Sequence, residues 1–159
     1  MARALGIEGV QQGDALTTLC SMPDASQDVV IAFDVIEHFS KEELLPVIDE
    51  VRRVLSPGGR WILHMPNGVS PFHGRIRYGD FTHENAFTPA SLADVLLASG
   101  FTDVRCFEDK PIVYSLKSLL RCLLWTGIRA SLIIYIAAET GLFDRGAILT
   151  QNFLAVASV

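Results

Sequence analysis

Short apolar runs and amphipathic segments alternate along this 159-residue chain. Residues 28–33 (DVVIAF) form an almost unbroken apolar run, as expected for a strand covered on both faces. Residues 60–65, 102–108 and 148–158 are predicted as further strands, and residues 9–12 as a weaker one. Helix-like segments separate these runs, so the order of elements predicts an α/β fold with a mostly parallel sheet.

The clearest helix signal follows Ser40, which is suited to cap a helix. Glu43, three residues later, completes a capping box. One apolar face is then expected from Leu44, Leu45, Ile48, Val51 and Leu55. Residues 56–59 (SPGG) are predicted to end the helix and turn the chain. A second helix is predicted between Thr88-Pro89 and Gly100, because proline is favoured at the first helical position.

Two segments interrupt this regular pattern. Residues 66–85 form a long loop, and loops beyond about 12–15 residues in a compact domain are uncommon and often functional. Residues 110–141 form a helical insertion before the last strand, with one helix over 116–138 or two helices broken near Gly127. We expect the insertion to pack on the domain or a partner subunit, to cover an apolar substrate, or to lie in a membrane interface.

Composition limits the classes of function. The formal net charge of -5 and the pI of about 5.3 argue against a nucleic-acid partner. The three cysteines are widely spaced and show no metal-ligand pattern, so we expect reduced thiols in a cytoplasmic protein. The longest apolar stretch, residues 131–138, is shorter than the ~20 residues of a membrane span, so no transmembrane helix is predicted.

The most informative polar residues follow the strand at 28–33. Asp34, Glu37 and His38 lie where this strand ends, and open α/β sheets bind ligands at the carboxyl ends of their strands. Two carboxylates and an imidazole are reasonable ligands for a divalent metal. Alternatively, Glu37 complements a helix dipole and His38 is a structural histidine that is hydrogen-bonded to the backbone.

His83, in the long loop, is the first candidate for a general base, and His38 is the second. Histidine has a reference pKa of about 6.5, which suits proton removal from a hydroxyl near neutral pH. Asp80 and Glu84 are close enough in sequence to orient His83, although a loop histidine can also tie down the backbone. His64 is predicted to be structural. Other residues of the loop could bind an anionic group or remain exposed: His73, Arg75, Arg77 and Tyr78.

Four segments together resemble the class I S-adenosylmethionine-dependent methyltransferases. They are FDVIEHF, the helix ending in RRVLSPGGRW, the strand ending in MPN, and HENAFTPASLADVLLASGF. They occur in the family's order and spacing from about residue 10 to residue 107, and again at the last strand. The resemblance implies a partial Rossmann-like sheet and methyl transfer from S-adenosylmethionine. It also implies a small-molecule acceptor, apolar or glycan-linked, that is methylated at oxygen rather than at carbon or nitrogen.

The resemblance also implies contacts to the cofactor. Asp14 matches the acid that binds the adenine amino group, and it would otherwise cap the following short helix or turn at 14–20. Further positions that match cofactor-contacting residues are Ala15, Leu16, Ala32, Phe33 and Asp34.

A divalent metal is implied by a second similarity. The D-x-x-E-H spacing of Asp34, Glu37 and His38 is similar to an E-x-x-E-H pattern in ubiquinone-biosynthesis O-methyltransferases, where it is associated with a divalent metal. Asp34 replaces the longer glutamate of that pattern. The metal could hold a substrate hydroxyl and lower its pKa.

The chain departs from the family at its amino terminus. Such methyltransferases begin with a strand, a glycine-rich loop and a helix, followed by a strand that ends in an acid. Gly6, Gly9 and Gly13 form no such loop, so residues 1–159 resemble a single, N-terminally incomplete domain. The strand at 28–33 would then be an apolar edge that invites pairing. We expect a longer gene product or a homo-oligomer. The alternative function is a non-catalytic truncated module that acts through dimerisation or partner binding.

Overall fold

A computed structural model describes Gly6 and residues 9–159. Its strands are β1 (Gln27–Phe33), β2 (Leu55–Pro66), β3 (Asp103–Glu108) and β4 (Asn152–Ser158). Its helices are α1 (Ala15–Cys20), α2 (Lys41–Val54), α3 (His73–Arg77), α4 (Pro89–Ala98) and α5 (Leu116–Thr140). A short 3₁₀ helix, Ile36–His38, lies between β1 and α2.

The four strands form one sheet in the order β1-β2-β4-β3. β1 pairs in parallel with β2, whereas β4 is antiparallel to both β2 and β3. β1, β2 and β3 therefore run in one direction and end at the same edge of the sheet, where the connecting loops can build a site. The predicted α/β fold with a mostly parallel sheet is confirmed.

The capping box of α2 forms as predicted. The backbone N–H of Ser40 donates to Oε2 of Glu43 at 2.9 Å, and the backbone N–H of Glu43 donates to Oγ of Ser40 at 3.3 Å. The predicted apolar face was wrong at Leu45, which is 50% exposed, whereas Val47 and Val54 are buried. Leu45 lies about 100° around the helix from Leu44, outside the stripe that meets the sheet.

Two other predictions of local structure need correction. Residues 10–12 have no regular structure, because a strand needs a neighbour and none pairs with them in the described chain. Residues 56–59 belong to β2, where Gly58 takes a φ of 78° and the β1–β2 register shifts between Gln27 and Val29.

Of the two alternatives for the insertion, the structure has the single helix. α5 is continuous through Gly127, since one glycine costs a helix only about 1 kcal/mol.

The two faces of the sheet are covered differently. One face packs against α2 and α4 and forms the core, whose sheet residues include Trp61, Leu63, Met65, Phe153, Ala155 and Ala157. On the opposite face, which we call the open face, Val29, Ile31 and Phe33 are 48%, 63% and 54% exposed. The strand register extends this face through a row of Phe33, His64, Leu154 and Phe107.

α5 is the longest helix and is poorly buried. Ser115 caps its start through the backbone N–H of Ser118, and Gly141 ends it with a φ of 75°. By length and composition, α5 is the one helix among the described residues that could cross a membrane. The apolar run at residues 131–138, taken alone, had predicted no transmembrane helix. Only 6% of its most apolar window is buried against the domain.

Candidate functional site

Glu37 is the least expected buried group at the carboxyl edge of the sheet. It lies in the 3₁₀ helix after β1 and is 1% exposed. Both carboxylate oxygens lack a hydrogen-bond partner among the described residues. Burial raises the pKa of Glu37, and the negative charge of Asp34 raises it further. A buried polar group without a partner is costly, so its presence calls for an explanation.

Two histidines lie beside this carboxylate. The rings of His38 and His83 are 4.8 Å apart between centroids. One ligand atom from each of Glu37, His38 and His83 lies within 4.8 Å of the others. Nδ1 of His83 is buried and has no hydrogen-bond partner in the described part of the chain. These three residues, which we call the Glu37 cluster, could together hold a divalent cation.

Backbone contacts hold the long loop against the cluster. The backbone N–H groups of Glu84 and Asn85 donate to the carbonyl oxygen of Glu37 at 2.8 and 2.9 Å. The guanidinium of Arg77 donates to the carbonyl oxygens of His83 and Glu84. Arg77, which the sequence offered as an anion-binding residue, therefore fixes the backbone beside the catalytic candidate His83.

Asp80 acts on His38 through Thr82. Its carboxylate accepts from the backbone N–H of Thr82 at 2.9 Å and from the Thr82 hydroxyl at 2.6 Å. The side-chain bond is the largest cause that holds the pKa of Asp80 below its usual value. The same hydroxyl lies 3.0 Å from Nδ1 of His38. We expected Asp80 and Glu84 to orient His83 directly, but Asp80 bonds Thr82 and Glu84 contributes its backbone.

Asp34 lies apart from the Glu37 cluster. Its carboxylate is 2.9 Å from Nδ1 of His64, and Nε2 of His64 is 3.5 Å from the carboxylate of Asp109. The predicted metal set of Asp34, Glu37 and His38 is thus divided, because Asp34 turns away in a left-handed conformation with a φ of 54°. Non-glycine residues adopt this conformation uncommonly, and such residues are often found at active sites.

Sequence reasoning missed the position of His64 between two carboxylates. The available signal was the pairing of two parallel strands, which places His64 of β2 opposite Phe33 and next to the residue that follows β1. Asp109 could not be foreseen, because it follows β3 and reaches His64 only through the position of β4 in the sheet.

The predicted cofactor contacts lie at the start of α1 and at the end of β1. Asp14 caps α1 by accepting from the backbone N–H of Thr17 at 2.8 Å, which lowers the pKa of Asp14. The capping alternative is therefore confirmed, and the contact with adenine stays a prediction, as it does for Ala15 and Leu16 at the start of α1. Ala32 packs toward the core, whereas Phe33 points to the open face.

The described residues match part of the cofactor site that the resemblance implies. Within Gly6 and residues 9–159, no strand precedes Gly13, so this part of the chain contains no strand, glycine-rich loop and helix in succession. Asp14 and Phe33, which the resemblance assigns to the adenine amino group and to the lining of the cofactor site, are both exposed and fit those contacts. They do not fit the backbone cradle for the amino-acid portion of S-adenosylmethionine.

Known proteins match part of the chain in sequence. Residues 2–63 match a family described as "Methyltransferase domain". A "Probable S-adenosylmethionine-dependent methyltransferase" of Mycolicibacterium smegmatis is 36% identical over 80 residues, which cover 50% of this chain and 30% of that protein. A protein of the same description from Mycobacterium tuberculosis is 34% identical over 83 residues, 52% of this chain and 30% of that one. The chain thus spans about a third of the length of these curated relatives.

Solved structures match the chain along its whole length. A SAM-dependent methyltransferase from Archaeoglobus fulgidus has a TM-score of 0.69 and 19% identity, covering 100% of this chain and 73% of that one. A SAM-dependent methyltransferase from Thermotoga maritima has a TM-score of 0.63 and 15% identity, covering 99% and 68%. At these identities the likeness shows the fold. In sequence over residues 2–63 and in fold over its whole length, the chain is similar to S-adenosylmethionine-dependent methyltransferases.

Proposed function

We propose that this protein binds S-adenosylmethionine and takes part in methyl transfer to a hydroxyl of a small-molecule acceptor. The observation that carries the proposal is the Glu37 carboxylate, buried beside the imidazoles of His38 and His83 and without a hydrogen-bond partner among the described residues. A side chain needed only for folding would be more stable here as an amide or an apolar group. Ionisable groups with perturbed pKa values in such positions are typical of functional sites.

His83 is the proposed general base. The acceptor hydroxyl loses its proton as its oxygen forms a bond to the methyl carbon, and a nearby imidazole can take that proton near neutral pH. The backbone of His83 is held by Arg77, so the ring is positioned before the acceptor arrives. His38, fixed through Thr82, is the second candidate for this role.

A divalent cation is the proposed alternative means of activating the hydroxyl. Glu37, His38 and His83 offer one carboxylate and two imidazoles, a ligand set suited to several divalent metals. A cation bound there would lower the pKa of an acceptor hydroxyl. Dependence of the reaction on added metal would distinguish this alternative from proton removal by His83 alone.

S-adenosylmethionine supplies the methyl group when bound, and its proposed contacts come from the end of β1 and the start of α1. Phe33 presents an exposed ring at the end of β1, next to Asp34. Asp14 can cap α1 and still accept from an adenine amino group, because a carboxylate has two oxygens and several acceptor positions. Further proposed contacts are Ala15, Leu16 and Ala32.

Equilibrium dialysis with labelled S-adenosylmethionine tests this proposal. We expect binding in the micromolar range, weakened about tenfold in Phe33→Ala, since an aromatic contact of this kind is worth roughly 1.4 kcal/mol. Phe107→Ala is the matched control, because Phe107 is 49% exposed in the same row of the open face but lies on β3. Absence of binding by the folded wild-type protein would contradict the proposed methyl transfer.

A non-catalytic module that forms homo-oligomers is the second candidate function. β1 is an edge strand, and its outer edge pairs with no strand in the described residues. This free edge and the exposed apolar side chains of Val29 and Ile31 favour the module. Size-exclusion chromatography with light scattering distinguishes the two functions. Stable dimers that bind no S-adenosylmethionine support the module, whereas a monomer that binds it supports the enzyme.

A further inference from the structure

α5 has an inner side that contacts the domain and an outer side that does not. The inner positions recur at helical spacing and are buried or half-buried: Ser118, Cys122, Trp125, Arg129 and Ile133. About half a turn away, the outer side carries exposed apolar residues: Leu116, Leu120, Leu123, Leu124 and Ile134, each 58–84% exposed. Helices of globular proteins normally turn their apolar stripe toward the core, so an outward apolar side needs a partner.

An ion pair fixes which side faces outward. Nε of Arg129 donates to the Glu108 carboxylate at 3.0 Å, and Nη2 donates to the carbonyl oxygens of Arg145 and Ala147 at 2.7 and 2.9 Å. The two charged side chains are 23% and 17% exposed. These bonds join the middle of α5 to the end of β3, so α5 cannot rotate to bury its outer side without breaking them.

The charge of the insertion differs in sign from that of the whole chain. The chain has a net charge of -5, yet residues 110–138 contain four basic residues and no acidic one. Lys117 and Arg121 lie one turn apart along one border of the outer apolar side, and both are exposed. Basic residues beside an apolar helix face complement the anionic headgroups and acyl chains of a lipid surface.

We propose that α5 docks this protein onto the surface of an anionic lipid bilayer, with the helix parallel to the membrane plane. The outer leucines lie among the acyl chains, and Lys117 and Arg121 contact headgroup phosphates. The helix lies on the membrane rather than crossing it, because crossing would carry the Arg129–Glu108 pair and the attached sheet edge into the hydrocarbon. Docking needs no residue of the Glu37 cluster, so it stands or falls independently of methyl transfer.

Vesicle co-sedimentation of the full chain tests the proposal. We expect binding to phosphatidylcholine vesicles that contain phosphatidylglycerol, weakened by high salt, and much weaker binding to pure phosphatidylcholine. Leu120→Gln with Leu123→Gln should reduce binding at least about tenfold, since each side chain loses its transfer from water to hydrocarbon. Lys117→Gln with Arg121→Gln should remove most of the preference for anionic vesicles.

Leu97→Gln is the matched control, because Leu97 is 47% exposed on α4 and should leave vesicle binding unchanged. Circular dichroism establishes that each variant is folded. No binding by the folded wild-type protein overturns the proposal. A dimer that dissociates in the leucine variant, with no vesicle binding, would mean that a second copy covers the outer side. Protein that resists alkaline extraction from vesicles would mean that α5 spans the bilayer, and would also overturn it.

Discussion

Both faces of the sheet carry large apolar side chains, but the surroundings of these side chains are opposite. On the core face, Trp61, Leu63 and Phe153 are at most 1% exposed beneath α2 and α4. On the open face, Ile31 and Phe33 of the same sheet are more than half exposed. Strands with apolar side chains on both faces are typical of sheets covered on both sides. The comparison teaches that the apolar side chains of the open face suit a covering layer that the described residues do not supply.

The same division runs through the polar groups at the sheet edge. The Glu37 cluster is enclosed by the long loop, and its carboxylate is buried with no hydrogen-bond partner in the described part of the chain. Asp34 and His64 lie on the other side, at the end of the open face, where the Asp34 side chain is 58% exposed. The enclosed group is thus suited to chemistry away from water, whereas the exposed pair can still gain a partner or ligand.

Substitution of matched aliphatic residues on the two faces should give the largest difference. We expect Leu63→Ala to lower the free energy of unfolding by about 2–5 kcal/mol, because it leaves a cavity in the core. Ile31→Ala should change it by about 0.5 kcal/mol or less, because its side chain is already in water. Urea denaturation measures both. Equal losses at the two positions would show that the open face is covered in solution.

Glu37→Gln should stabilise the metal-free protein by about 1–3 kcal/mol, because it removes an unpaired buried charge. The folded-state pKa of Glu37 is raised above its ordinary 4.5, so the wild-type protein loses stability as pH rises above that value. The difference between the two proteins should therefore vanish at low pH and level off above the raised pKa. Thermal melts in EDTA across this pH range measure it.

The exposed residue Glu42 supplies the control for this substitution, and Glu42→Gln should leave the melting temperature nearly unchanged. Added divalent cation should stabilise the wild-type protein and not Glu37→Gln, because the cation binds only the folded cluster. A destabilised Glu37→Gln protein in EDTA would mean that the carboxylate has a partner in the free protein.

Asp34→Asn should have the smallest effect. Its contact with His64 is partly exposed, so we expect a loss of less than about 1 kcal/mol in the free energy of unfolding, decreasing with added salt. Asp103→Asn, which removes the exposed contact with Arg105, is the control of comparable exposure. A salt-independent loss several times larger at Asp34 would place its carboxylate in a buried network instead.

Local signals accounted for most helices and strands. Ser40 with Glu43 and Thr88 with Pro89 marked helix starts correctly, because these signals depend only on residues within one helical turn. The 56–59 turn is instead a bulge within β2: β1 pairs with Leu55 and again with Arg60, and Gly58 takes a positive φ of 78° between them. Pairing on both sides of the bulge makes these residues part of the strand.

The candidate site was less predictable than the fold. Sequence proximity grouped Asp34 with Glu37 and His38, whereas the structure groups those two with His83 from the long loop. That grouping depends on the backbone bonds from the loop to the carbonyl of Glu37 and on the left-handed turn at Asp34. Neither feature leaves a pattern in the sequence, because backbone carbonyls accept from any residue and aspartate only tolerates a positive φ.

The insertion that contains α5 also sets the order in which the chain can fold. β3 and β4 form an antiparallel pair in which Glu108 lies opposite Phe153, so the whole insertion must be closed as a loop before they meet. β1, α2 and β2 follow one another directly and pair without such a closure. Because closure entropy increases with loop length, β4 is expected to join the sheet last and to leave it first. β4, which completes the core, is thus the strand whose pairing the insertion delays.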